Sequence, residues 1–239
     1  QNTKSIKAIL PMQQHDCSPL SDFIEYPEAE MLSRSQDFYD LVKRRHSIRS
    51  FSDRAVDKQV IENCLKAAGT APSGANHQPW HFVAISSSDV KKQIREQAEH
   101  HERGFYEGRA GEEWLAALKD LGTDANKPYL EHAPWLIAIF SQKKGGITAA
   151  EAEEDKKTNY YVHESVGIAT GILITALHNA GLATLTHTPK PMSFLNKVCQ
   201  RGDNERAYML LIAGYPANDA TVPAHAQVKK SLTEIVTFL

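Results

Sequence analysis

The 239-residue chain is poor in cysteine and carries no strong excess of charge of either sign. Its three cysteines, Cys17, Cys64 and Cys199, are odd in number and far apart. That argues against a disulfide framework and for a reducing compartment. A formal net charge of -2 provides no basic surplus, so no nucleic-acid partner is expected. The chain has no Gly-x-Gly-x-x-Gly and no Gly-x-x-x-x-Gly-Lys, which removes the dinucleotide loop and the P-loop. It also lacks Cys-x-x-Cys and His-Glu-x-x-His. His100-His101 and the His77/His81 pair have no third partner at ligand spacing, so no metal site is expected. Ser73 stands in Pro-Ser-Gly rather than Gly-x-Ser-x-Gly, which speaks against a serine hydrolase.

Long apolar runs are missing too. Ser165 to Pro189 contains no Asp, Glu, Lys or Arg, but Thr170, Thr175, His178, Asn179 and Gly181 interrupt it. A membrane span needs ~20 mostly apolar residues, so this stretch reads as a buried core helix. Gln1 to Asp16 has no apolar core of signal-peptide length. The expectation is a cytoplasmic protein, or a soluble domain whose upstream leader or anchor has been removed.

What is present is ordinary for a folded domain: 41% hydrophobic and 23% charged residues. Gln1 to Glu30, polar and carrying Pro11, Pro19 and Pro27, reads as an extended arm, and residues 31–239 as one domain. A helix is expected from about Ser35, with Phe38, Leu41 and Val42 on its inner face. Ser52-Asp53 offers a cap for a second helix ending at Gly69, with Val56, Val60, Ile61, Cys64, Leu65 and Ala68 at helical spacing. His81–Ser86 reads as a strand, and Ser88-Asp89 as the cap of a helix through Val90, Ile94 and Ala98. Glu102 and Tyr106 continue its four-residue steps, and Phe105 to Leu121, loosened by Gly108 and Gly111, as a helical lid. Trp135–Ser141 is apolar enough for a strand buried on both faces. Lys143–Lys157 reads as a charged loop, Ser165–Ala180 as a helix capped by Gly181, and Leu182–Thr188 and Tyr208–Tyr215 as strands. Interleaved helices and strands imply a layered α/β or α+β sheet protein. Gly167 and Gly171, four apart, suit close helix packing within one subunit or across a subunit interface.

Two segments carry the chemistry. Arg44 to Arg49 read Arg-Arg-His-Ser-Ile-Arg, a set of guanidiniums and a hydroxyl that matches phosphate oxygens. Thr70 to Trp80 read Thr-Ala-Pro-Ser-Gly-Ala-Asn-His-Gln-Pro-Trp, a turn whose backbone can approach a flat ligand. Together they suggest a phosphorylated planar cofactor. Glu102 and Tyr106, at i and i+4, share a helical face. With Lys127 they could clamp a zwitterion, or be ordinary exposed polar residues.

With Thr186-His187-Thr188-Pro189 and Gly214-Tyr215-Pro216 added, the ordered motifs resemble the flavin-dependent nitroreductase superfamily from about Glu28 to the C-terminus. Within it, Glu102, Tyr106 and Lys127 resemble the branch of iodotyrosine deiodinases. The resemblance implies an α+β fold, a mixed sheet sandwiched by helices in an intertwined homodimer, with FMN as cofactor. It implies that Arg45, His46, Ser47 and Arg49 hold the FMN phosphate, ribityl chain and ring edge. Ser73 would contact the flavin from the partner's loop, Thr186 to Thr188 would line the N5 side, and Lys229 would reach the phosphate. His46 and Lys229 depart from the family pattern, which more often has Arg. Glu102, Tyr106 and Lys127 would hold the amino-acid zwitterion of a halogenated tyrosine, and the Ala75 N–H its phenolic oxygen. Arg49, Thr188 and Ala75 are thus the expected catalytic groups. Electrons would come from a reductase or from NAD(P)H. The alternatives are an NAD(P)H-dependent nitroreductase or quinone reductase with an open site, and a flavin-fragmenting synthase of the cobalamin lower ligand. Neither needs the Glu102/Tyr106/Lys127 clamp.

Overall fold

A computed structural model describes residues 17–104, 106, 111, 113, 116, 124–146 and 157–239. The chain divides into two units, Gln1–Tyr39 and Asp40–Leu239. Helix α1 (Glu28–Val42), whose first twelve residues belong to the smaller unit, begins earlier than Ser35. Pro27 sets that start: its carbonyl accepts from Glu30 and Met31 N–H, and Glu28 and Glu30 sit favourably at the positive end of the helix. Phe38 is exposed rather than inward, as are Leu20, Phe23, Ile24, Met31 and Leu32.

In the larger unit, α2 (Lys58–Gly69) is capped by Asp57, whose carboxylate accepts from Gln59 N–H at 2.7 Å. The Ser52-Asp53 cap fails because that stretch is tied to the far end of the sheet: Phe51 bridges Pro216, and Ser52 N–H reaches the Tyr215 carbonyl. There follow β1 (Trp80–Ile85), α3 (Ser88–Gly104), α4 (Tyr129–His132), β2 (Trp135–Gln142), β3 (Lys144–Gly145), β4 (Lys157–Thr158), α5 (Val162–Asn179), β5 (Ala183–His187), α6 (Ser193–Val198), β6 (Glu205–Gly214), α7 (Ala224–Gln227) and α8 (Leu232–Ile235). The segment read as a charged loop is paired at its ends, Lys144 with Thr158 and Gly145 with Lys157. The expected lid, apart from Tyr106, Gly111, Glu113 and Ala116, lies outside the described residues.

The main sheet has the order β1-β2-β6-β5, antiparallel throughout, and Ser47 adds a parallel bridge to Thr184 at its edge. Strand alternation explains the apolar run of β2, because successive side chains enter opposite cores. Leu136, Ala138 and Phe140 join Ile94, Ala98, Leu130 and Leu195 on the side of α3, α4 and α6. Trp135, Ile137 and Ile139 join Ile61, Ala68, Val166 and Leu173 on the side of α2 and α5. Helix α5 closes with Gly181 at φ 85°; Leu182 N–H returns to the Leu177 carbonyl and Gly181 N–H to His178, which satisfies the last carbonyls. Among the described residues no helix is long and apolar enough to cross a membrane.

Candidate active site

The last turn of α3 presents Glu102, and the segment before α4 returns Lys127 beside it. Lys127 Nζ lies 2.9 Å from Glu102 Oε2, with the two side chains only 3% and 14% exposed. The ammonium also donates to the Asp124 carbonyl and stands 5.8 Å from the centre of the Tyr106 ring, within cation–π range. Supporting bonds fix this geometry. Lys127 N–H donates to Glu99 Oε1 at 2.8 Å, Arg95 Nη1 donates to Glu99 Oε2 at 3.1 Å, and Arg95 Nε to Glu131 Oε2 at 2.6 Å. A carboxylate–guanidinium chain therefore stitches α3 to α4 and sets where Lys127 sits.

Along β5, Thr186 is exposed and His187 is buried, as period-two alternation requires; Thr188, just beyond the strand, is exposed again. Thr188 opens onto a cavity of about 1390 Å³ that also borders His163, Lys190, Arg206 and Tyr208. His187 points the other way. Its Nε2 is 3.6 Å from Glu102 Oε1, and its ring meets Tyr129 edge-on at 6.1 Å between centres.

Burial pushes the Glu102 carboxyl above its usual range, while the Lys127 hydrogen bond and charge pull it back. Burial, then the charges of Lys127 and Arg49, hold the His187 imidazole down to about 3 from an ordinary 6.5. Above pH ~6.5 neither folded nor unfolded chain protonates this group. As pH falls toward 3, the unfolded chain binds a proton that the folded chain refuses. Stability should therefore drop by ~1.4 kcal/mol per pH unit through this one group. His187→Gln should flatten that acid slope in denaturant unfolding measured from about pH 7 to 4.5; curves parallel to wild type would assign the slope elsewhere.

Arg45, His46, Ser47 and Arg49 are half-buried and run along the edge of β5, where Ile48 N–H donates to the Thr184 carbonyl at 3.2 Å. Arg44, Arg45 and His46 border a cavity of about 390 Å³ with His178, Gly181 and Thr184. Among the described residues no carboxylate pairs with Arg45 or Arg49. Uncompensated guanidiniums beside a hydroxyl and an imidazole fit the phosphate of FMN. Lys229 lies on the exposed C-terminal segment, its ammonium on the Ala226 carbonyl at 2.8 Å.

The Ser73–Gln78 loop packs against the start of α5. Gln78 N–H donates to Ser73 Oγ at 2.9 Å, and His77 Nδ1 lies 2.9 Å from Asn159 Oδ1. Ala75, Asn76 and Gln78 take left-handed φ values of 50°, 56° and 51°. Such backbone is costly for residues other than glycine and concentrates at ligand-contacting loops. Gly74 has its own reason: a Cβ there would lie 2.8 Å from the Tyr160 carbonyl oxygen.

The model of the Nitroreductase family matches residues 42–215. The iodotyrosine deiodinase of Haliscomenobacter hydrossis is 45% identical over 212 residues, 89% of this chain and 94% of that protein. This chain belongs to the nitroreductase family, among the iodotyrosine deiodinases. The iodotyrosine deiodinase of Danio rerio is 46% identical over 90% of this chain and 72% of its own. An iodotyrosine deiodinase solved with FMN and 3-iodo-L-tyrosine superposes with a TM-score of 0.65 at 33% identity, covering 76% of this chain and 90% of that one. The nitroreductase-like α+β fold expected from the sequence is thus the fold observed.

Glu102, Tyr106 and Lys127, expected from sequence to form a clamp, are brought together in one chain. Arg45 to Arg49 form a second group, and Ser73 with Ala75 occupies the loop at α5. Sequence reasoning missed Glu99, Asp124 and Tyr129, which hold Lys127 and wall in His187. One signal was available for Glu99: it lies four residues after Arg95 on the face that also carries Glu102.

Proposed function

We propose that this chain is an FMN-dependent reductive dehalogenase of halogenated tyrosines such as 3-iodotyrosine. The observation that carries the reading is the buried Lys127–Glu102 pair at 2.9 Å with the Tyr106 ring beside it. An ammonium and a carboxylate already matched to one another are matched to the two ends of an α-amino acid. Entry of the substrate exchanges one internal ion pair for two, Glu102 with its ammonium and Lys127 with its carboxylate.

Reduced FMN, when bound, supplies the two electrons that, with one proton, replace carbon–iodine by carbon–hydrogen and release iodide. Arg45, His46, Ser47 and Lys229 would hold its phosphate and ribityl chain, and Ser73 would approach from the partner. Arg49 would place positive charge where negative charge develops. Thr186, His187 and Thr188 would belong to the segment that lines the flavin N5 side, with the Thr188 hydroxyl as the donor. The Ala75 N–H would donate to the phenolate oxygen of the substrate. A reductase or NAD(P)H would be the electron source.

A homodimer accounts for apolar surface that one chain leaves bare. Ile168 is exposed on α5 near the open Gly171, and Val228, Leu232, Ile235 and Phe238 are exposed on the C-terminal segment. The purified protein should hold one FMN per chain and have a native mass twice 26.6 kDa. Titration with 3-iodotyrosine should quench flavin fluorescence, and a nitroaromatic lacking a zwitterion should not. The reverse preference would make it a broad NAD(P)H-dependent nitroreductase or quinone reductase.

A further inference from the structure

We infer that His187 is a positioning residue for the zwitterion clamp: its Nε2–H holds one oxygen of Glu102, leaving the other for Lys127 and the substrate ammonium. The inference rests on the deiodinase reading of the site. His187 is 8% exposed, and its Nε2 is the buried side-chain polar atom that, among the described residues, has no hydrogen-bond partner. It faces Glu102 Oε1 at 3.6 Å, while Oε2 is the oxygen engaged by Lys127 at 2.9 Å. A shift of roughly 0.6 Å closes the first contact to hydrogen-bond length, and such contacts commonly tighten when ligand binds.

The groups around the ring determine its form. Lys127 on the segment before α4 and Arg49 on the sheet-edge segment are cationic, Glu102 on α3 is the facing carboxylate, and Tyr129 on α4 offers a ring edge. Burial among these cations keeps the imidazole neutral, so it has one N–H to place. With the proton on Nε2 it donates to Glu102; with the proton on Nδ1 a lone pair would face the carboxylate. A donor to the ionised carboxyl favours ionisation and opposes the upward push of burial on Glu102. The clamp then keeps its negative charge further into acid and presents it in one direction.

The test is calorimetric binding of 3-iodotyrosine to the FMN-loaded protein between about pH 5 and 8, for wild type, His187→Gln and His187→Met. Glutamine retains an N–H at similar reach; methionine retains volume alone. His187→Met should bind about tenfold more weakly at neutral pH, and the acid limb of its profile should move up by about one pH unit, the equivalent of that tenfold change. His187→Gln should stay within about threefold of wild type, with the limb unmoved. A limb at the wild-type position in His187→Met, or equal shifts in both variants, would overturn the inference and leave His187 a packing residue. Imidazole ¹⁵N shifts of the wild type give a check that no variant enters: Nε2 should carry the proton, and an Nδ1–H tautomer would also overturn it. Absence of iodotyrosine binding by the wild type would instead strike the function reading, and this inference with it.

Discussion

Glu102→Gln is expected to bind 3-iodotyrosine roughly 10–150-fold more weakly while retaining FMN, because the lost interaction is charge-assisted and worth ~1.5–3 kcal/mol. Glutamine keeps the shape and one acceptor oxygen, so Lys127 retains a neutral partner and the fold should survive. What disappears is the only negative charge that the Lys127–Tyr106–Glu102 group offers to the substrate ammonium. The loss should therefore follow the ligand's cation. A halogenated tyramine, which has the ammonium but no carboxylate, should lose affinity as the amino acid does. The corresponding phenylpropionate, with the carboxylate alone, should lose none, since Lys127 no longer has to leave an internal carboxylate to meet it. Calorimetry with the three ligands separates these terms. Equal losses for the anionic and cationic ligands would mean that the substitution disturbs the site as a whole.

The features legible in the sequence were those with a local period or a local charge. The apolar run of β2 announced a strand with two buried faces, and the four-residue step led from Glu102, in the last turn of α3, to Tyr106 just past its end, whose ring stands near Lys127. The guanidinium cluster at Arg44 to Arg49 pointed to a phosphate, and the structure sets Arg45 and Arg49 half-buried along the edge of β5. Features decided by distant parts of the chain were not legible. The cap of α2 passed from Ser52-Asp53 to Asp57 because Phe51 and Ser52 are bound to the end of the sheet, whereas the start of α1 at Pro27 is a local signal that the apolar spacing from Ser35 overrode. The left-handed turn at Ala75, Asn76 and Gln78 contains no glycine at those positions and so gave no sign of its backbone. His187 read as one of three residues lining a flavin; its direction is set by register, where it pairs with Leu210 of β6 and turns its ring toward Glu102. The meeting of Glu102 with Lys127 depends on α3 packing against α4, which no local pattern encodes.

That long-range meeting is also where the largest effect on stability is expected. Lys127→Met should destabilise the protein by ~3–5 kcal/mol, since removing one partner leaves a buried charge uncompensated. For a chain of this size that corresponds to a fall in Tm of roughly 6–20 °C. Methionine fills much the same space, so the cost is electrostatic rather than a cavity. Glu102 is already pushed upward by burial, and losing the Lys127 hydrogen bond and charge removes both influences that hold it down. Its folded value then lies still further above the unfolded one. The penalty should accordingly be small in acid, where both states are protonated, and grow as pH rises above the ordinary carboxylate range. The double variant Glu102→Gln/Lys127→Met has no charge left to strand and should recover most of the loss, although its affinity for halotyrosine should stay low. Unfolding of the four proteins at equal FMN loading closes a double-mutant cycle with a coupling of roughly 2–3 kcal/mol or more. Additive losses, or a penalty independent of pH, would show that Lys127 is held by the Asp124 carbonyl and its packing, with Glu102 a bystander.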